Sequence, residues 1–425
     1  MDRTIQPNIK DAVDFSLQLK SHTLFTLDNG VQVYSVNAGT QEVFQLELVF
    51  FAGNCFETKN GVAYATNHLL KNGTVNKTAF EINEHFDYYG AHCSRSCHNE
   101  TALISLHALT KHLPVLLPVI KEMISESIFP DSEMDIFVQN TKQKLSVKLK
   151  KCDFVANRLI DQYVYGDNHP YGKYLVEKDL DEMQVSDIKD FYNRYYVNGT
   201  CVLFISGNLP ADIFQQLNAT FGKLSLKPKT GKLPTSNIIS ATQKKYKILN
   251  EENAVQGAIR IARSFPNRHH PDFKPMMVLN TLFGGYFGSR LMSNIREDKG
   301  YTYGISSYVQ NNLQQTALMI STEAGIDVCE ATVAEVFKEM KVLREELVDE
   351  DELMMVRNYL LGSILGDLDG PFQIMSRWKN IVLNDLSESY FYESIDVIKT
   401  ITAKEIMELA NKYYIDDEFY ELIVT

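Results

Sequence analysis

The sequence predicts an α+β fold made of two tandem, related halves, each a sheet with packed helices. Three observations lead there. The chain has 425 residues, and at roughly 100–200 residues per domain that supports more than one core. A helix-then-strand block occurs twice. Ser186 begins an amphipathic stretch that ends Asn193-Arg194-Tyr195-Tyr196 and leads into the apolar run Cys201-Val202-Leu203-Phe204-Ile205-Ser206. Lys404 begins a second one, ending Asn411-Lys412-Tyr413-Tyr414 and leading into Phe419-Tyr420-Glu421-Leu422-Ile423-Val424; it starts 218 residues after Ser186. Finally, the stretch from Leu226 to Asn237 mixes Lys, Pro, Gly, Ser and Thr without apolar periodicity, as a linker does. These features divide the chain into an N-terminal half at residues 1–225, a linker at 226–240 and a C-terminal half at 241–425.

The elements follow in order. Phe25 to Tyr34 reads strand, Asp-Asn-Gly turn, strand, which is a hairpin signal. Val43 to Phe51 is an apolar strand, and Val255 to Ala262 is its counterpart in the second half, a few residues out of step. A helix is expected over 62–71. A second, over 79–89, carries Phe80, Ile82 and Phe86 near helical spacing. Residues 91–109 alternate like a pair of strands, and helices follow over 113–126 and 134–150. The 218-residue offset sets Thr66 to Leu70 opposite Gly284 to Gly288. Mixed strands, helices and hairpins favour α+β layers over a purely parallel sheet.

Composition narrows the function. Hydrophobic residues are 44 % and charged residues 23 % of the chain, the balance of a folded protein rather than a disordered one. The net charge of -12 argues against a nucleic-acid binder, which needs a basic footprint. No run approaches the roughly 18 apolar residues of a membrane span. The first ten residues have no apolar core, so no signal peptide is expected. Of six cysteines only Cys93 and Cys97 lie close together, which is no disulfide framework. Reduced thiols and a cytoplasmic location are the expectation.

Two signatures resemble one family. The first is Gly284-Gly285-Tyr286-Phe287-Gly288-Ser289-Arg290-Leu291, continuing through Arg296 to Gly300-Tyr301-Thr302-Tyr303-Gly304. It is similar to the second-half signature of the pitrilysin/insulinase-type metallopeptidases, which include the mitochondrial processing peptidases and bacterial two-chain members. The second is Gly61-Val62-Ala63-Tyr64-Ala65-Thr66-Asn67-His68-Leu69-Leu70, with a trailing Gly73-Thr74. It stands where that family has its zinc helix. His169-Pro170-Tyr171-Gly172 is also family-like. The resemblance implies a metallopeptidase-like half-chamber over essentially the whole chain.

The family's inverted motif is H-x-x-E-H, in which two imidazoles hold zinc and the glutamate takes a proton from bound water. Here Tyr64, Asn67 and His68 hold those positions. Free phenols titrate at about 10, which makes a poor zinc ligand near neutrality. An amide cannot take a proton from water. The third ligand of the family falls near Lys144, and no Asp or Glu occurs from Ile136 to Lys151. These are degenerate zinc-motif positions, and no metal or cofactor is expected in this chain. His68 then reads as a core or cavity histidine.

Arg296 and Tyr303 match the family's Arg/Tyr pair, which the resemblance implies binds the substrate backbone and its developing oxyanion. The alternative is that Arg296 pairs with Glu297 or Asp298 while Tyr301 and Tyr303 pack in a strand. The glycines at 284–288 lack the Gly-Lys-Ser/Thr ending of a phosphate loop, so tight packing at a helix start is expected instead. His92-Cys93-Ser94-Arg95-Ser96-Cys97-His98 could suggest a soft-metal cluster, but in a strand the histidines and cysteines lie on opposite faces. Ala102 to Leu109 falls where the family offers an edge strand to an extended peptide. The expected function is a catalytically inactive subunit that binds peptide and completes the chamber of a zinc-bearing homologous chain. The alternatives are a stand-alone peptide-binding or scaffold homodimer, and an active zinc peptidase with an unorthodox site.

Overall fold

The computed structural model describes residues 12–230, 233–234, 236–252 and 254–425. Residues 1–10, on which the signal-peptide expectation rests, lie outside the described residues, as do Gly231, Lys232 and Thr235 of the expected linker. No helix among the described residues is long and apolar enough to cross a membrane. The chain forms two compact units. One holds Ser21–Thr242 with Gly370–Lys379; the other holds the described residues up to Lys20, Gln243–Asp369 and Asn380–Thr425.

In the first unit, β1 (Thr23–Thr26) and β2 (Gln32–Asn37) form the expected antiparallel hairpin. β3 (Val43–Phe50) leads to α1 (Val62–Leu69) and α2 (Ala79–Tyr88). Thr78 and Glu81 close a capping box at the start of α2. β4 (His92–Cys97), β5 (Ala102–Leu109) and α3 (Leu113–Ser125) follow, then the hairpin of α4 (Asp131–Lys148) and α5 (Cys152–Tyr165). α6 (Glu177–Glu182), α7 (Val185–Tyr192), β6 (Cys201–Gly207) and α8 (Ile213–Phe221) complete the unit. The sheet order is β1-β2-β6-β3-β5-β4. β5 pairs with β3 on one side and β4 on the other. It is therefore an interior strand, and the expectation of an edge strand at Ala102–Leu109 is corrected: the edge is β4.

One face of β3, with Phe44, Leu46, Leu48 and Phe50, packs into the helix-covered core. The opposite face carries Glu47, which is 8 % exposed. There it meets residues 370–379. Lys379 Nζ contacts both Glu47 oxygens at 2.7 and 2.8 Å, Phe372 packs edge-on against His107 at 4.9 Å, and Trp378 against His22 at 4.2 Å.

The second unit runs through β7 (Lys245–Ile248), β8 (Gln256–Phe265), α9 (Phe273–Asn280), β9 (Thr302–Asn311) and β10 (Thr316–Gly325). Its helices α10 (Cys329–Glu345), α11 (Glu350–Gly366), α12 (Pro371–Leu383), α13 (Ser389–Thr400) and α14 (Ala403–Tyr413) precede β11 (Tyr420–Val424). The first turns of α12 are the residues counted with the first unit. The sheet order is β7-β11-β8-β10-β9.

The two sheets repeat one topology. A parallel pair, β2–β6 or β7–β11, is followed by three antiparallel pairings in the same connectivity. By this correspondence α1 matches α9, each following the strand after the parallel pair's first member. The constant 218-residue offset fails here: Gly284–Gly288 lies past α9, partly in the π-helical turn Thr281–Gly285.

Candidate functional site

The first unit's candidate site forms where α1, β4 and α4 meet. α1 starts at Gly61, whose φ of +85° lies in the left-handed region; a Cβ there would stand 2.4 Å from Leu175 Cδ1. The Glu57 carboxylate caps the helix, accepting from Gly61 N at 3.0 Å and Ala63 N at 2.9 Å. Burial nevertheless raises the Glu57 pKa.

Helical spacing sets Tyr64, Asn67 and His68 on adjoining turns, but their surroundings differ. Tyr64 is 44 % exposed, and its ring lies 5.8 Å from Phe137 of α4. Asn67 is 2 % exposed. Its Nδ2 donates to Tyr196 Oη at 3.1 Å and to Leu103 O at 3.3 Å. The amide is thus built into the core. His68 is half-buried, its ring 5.1 Å from Phe137. Lys144 stands two turns past Phe137 on the same face of α4. Burial, then the Arg95 guanidinium and the Lys144 ammonium, push the His68 pKa down to about 4. The ring is neutral at neutral pH.

Arg95 is the residue that sequence reasoning passed over. Its Nη1 donates to His68 O near the C-terminal end of α1. Burial lowers its pKa, and Cys93, Tyr196 and Tyr64 face it. The signal was present: strand alternation puts Arg95 on the same side of β4 as Cys93, which is buried. A guanidinium on a helix-covered face is uncommon.

This donor set does not fit zinc. The helix offers one imidazole, flanked by a guanidinium and an ammonium, and no carboxylate stands at either the base or the third-ligand position. Among the described residues no group of three or more His, Cys, Asp or Glu is placed to hold a metal ion. The histidines at 92 and 98 lie at and just past the ends of β4, and Cys93 faces the core. Burial pushes the Cys93 thiol up to about 11 and the Cys55 thiol up to about 12, so neither supplies a thiolate near neutrality.

The second unit holds the Arg/Tyr pair. Arg296 lies in the last turn of a short π-helical segment, Met292–Asp298, and Tyr303 is the second residue of β9. Arg296 Nε donates to Tyr303 O at 3.0 Å. Its guanidinium lies 4.6 Å from the Phe287 ring centre, and Nη1 is 3.6 Å from Glu297 Oε1. The arginine is braced, while the Tyr303 phenol is 91 % exposed rather than packed. The outer edge of β9 is already engaged further along. Ile305 N donates to Met292 Sδ at 3.4 Å, and Ser307 O accepts from Asn280 Nδ2 at 2.9 Å. Gly284 allows this covering, since a Cβ there would lie 2.7 Å from Ser307 Cβ. The glycines thus serve close packing, at the end of one helical segment and ahead of the next.

Comparison with known proteins agrees with this architecture. Residues 32–169 match the family described as insulinase (peptidase family M16), and residues 182–360 match the peptidase M16 inactive domain. The word inactive therefore describes the second match and not the region of α1. The uncharacterized zinc protease YmxG of Bacillus subtilis is 22 % identical over 404 residues, covering 94 % of this chain and 97 % of that protein. An uncharacterized zinc protease of Rickettsia felis is 23 % identical over 396 residues, covering 91 % and 94 %. Among solved structures, a peptidase M16 inactive domain from Pseudomonas fluorescens superposes with a TM-score of 0.84 at 22 % identity, covering 95 % of this chain and 98 % of that one. A protease from Helicobacter pylori gives 0.85 at 17 % identity, covering 96 % and 100 %. The two family matches, the full-length relatives and the repeated sheet topology agree, and the chain belongs to the pitrilysin/insulinase (M16) peptidase family.

Proposed function

We propose that this chain is a catalytically silent member of the family, a subunit that binds peptide and completes the chamber of a zinc-bearing homologous chain. One observation carries the reading. The face of α1 that would hold zinc presents an exposed phenol, a core-bonded amide and a histidine beside two cations. The relatives are named zinc proteases; in this reading zinc and hydrolysis belong to the partner. Peptide binding is supported by the braced Arg296 and the exposed Tyr303 phenol, both hydrogen-bond donors suited to carbonyl oxygen. The edge position of β4 also suits main-chain addition of an extended peptide.

The test is co-expression with a homologue from the same genome that carries H-x-x-E-H. Zinc content and cleavage of a mixed peptide library are measured for the pair and for this chain alone. The pair should cleave, the chain alone should do neither, and Arg296→Ala should slow the pair. One zinc per chain with cleavage by the chain alone overturns the proposal.

A further inference from the structure

We propose that the C-terminal end of α1, where the family would place a metal, is an anion site that takes a carboxylate of a bound peptide, either an acidic side chain or a free C-terminus. The ligand class rests on the peptide-binding reading above; the site itself rests on charge and hydrogen bonding within the first unit.

Arg95 is the centre of the argument. Nη1 is committed to His68 O, which leaves the rest of the guanidinium free of a protein acceptor among the described residues. Nε is buried without a hydrogen-bond partner there. The groups that act on its charge are two phenols and a thiol, with no carboxylate among them. A half-buried guanidinium whose one acceptor is a helix-end carbonyl has donors to spare, and a planar two-oxygen acceptor is the ligand that suits them.

Lys144 is the second cation. Its neighbours on α4 have partners: Lys142 contacts Asp181 and Glu177, and Lys148 lies 5.5 Å from the Phe154 ring centre. Lys144 has no ion pair among the described residues, although its charge reaches His68. Lys71 is also within electrostatic reach of Arg95, but Asp87 offsets it. Tyr64 adds a hydroxyl at the exposed side, past which a ligand can enter. The site therefore collects donors and positive charge, in a chain whose net charge is -12. The same charges that exclude a divalent cation attract an anion.

The test titrates the full chain calorimetrically with three hexapeptides of one sequence. One has a central Glu and an amidated end, one a central Gln and an amidated end, and one a central Gln and a free terminal carboxylate. Alongside, the thermal midpoint is measured in glutarate against chloride at equal ionic strength. At least one carboxylate peptide should bind about tenfold more tightly than the neutral one, and which one identifies the source. Arg95→Gln and Lys144→Glu should each shrink that advantage to within about twofold and leave the neutral peptide unaffected. Lys144 is exposed, so its variant keeps the test decisive if Arg95→Gln does not fold. Equal binding of all three peptides overturns the anion site and leaves peptide binding standing. If no peptide binds, yet glutarate raises the midpoint of the native chain and not of Lys144→Glu, the site stands and the peptide ligand is overturned. With no response to either, both fall.

Discussion

Reversing the charge at position 144 should move the proton affinity of His68. An ordinary histidine titrates at 6.5, and this one is pushed to about 4, by burial first and by Arg95 and Lys144 after it. The charged groups facing it come from β4 and α4, and Tyr64 of α1 is the remaining titratable neighbour. Lys144→Glu replaces a repulsion with an attraction while leaving the burial in place. The pKa should rise by about 0.5–1, as a solvent-screened pair does. The linkage has a definite sign. A histidine held neutral in the folded state is protonated more readily when unfolded, so stability is lost as pH falls from 6.5 towards 4 and is unaffected above that window. The full gap would correspond to a ceiling of about 3 kcal/mol, which partial exposure of the ring reduces to about 1–2 kcal/mol. The assay is an NMR titration of histidine Cε1–Hε1 resonances, with His68→Gln assigning its signal among the ten histidines. Thermal midpoints at pH 7.5 and 4.5 serve as the stability readout. A His68 that titrates at 6 or above in the native chain, or that ignores Lys144→Glu, refutes the reasoning.

Asn67→Ala removes two hydrogen bonds and leaves Tyr196 Oη and Leu103 O without that donor; it should cost about 2 kcal/mol, read as a drop of several degrees in Tm. Lys379→Met strands the Glu47 carboxylate on the sheet and should cost about 2–3 kcal/mol, somewhat below a fully buried pair because Lys379 is partly exposed. Adding Glu47→Gln should recover most of that loss, with fluorescence of the chain's single tryptophan, Trp378, reporting the local change.

Much of the fold was readable because it is local. The Asp-Asn-Gly turn, the apolar runs of β3 and β6 and the helical spacing around Phe86 each act within a few residues. The repeated helix–strand block was readable because both copies end on the same Tyr-Tyr stop. Strand order was not readable. Whether Ala102–Leu109 lies inside a sheet or at its edge depends on which distant strand pairs with it, and His92–Cys97 took the edge. The uniform offset failed at Gly284 because the matching helices begin only 211 residues apart (273 minus 62), at Val62 and Phe273, and the longer β9–β10 hairpin of the second unit adds most of the difference afterwards. At the candidate site, Tyr64, Asn67 and Lys144 were readable as departures from a motif. Arg95 was hidden by the histidines and cysteines around it, although alternation along β4 had already assigned its side.

Residues 370–379 bear on how the chain can be dissected. A fragment ending at Thr242 would keep every strand of the six-stranded sheet. It would lack the short helical stretch whose Phe372 packs edge-on against His107 and whose Lys379 answers the charge of Glu47. Such a fragment exposes the Glu47 carboxylate, which is 8 % exposed in the chain as folded, and leaves it without its ammonium partner. A synthetic peptide of the missing stretch, supplied in trans, is its natural complement. Cutting the chain at the apparent midpoint therefore takes from the first piece a stretch that belongs to its own compact unit.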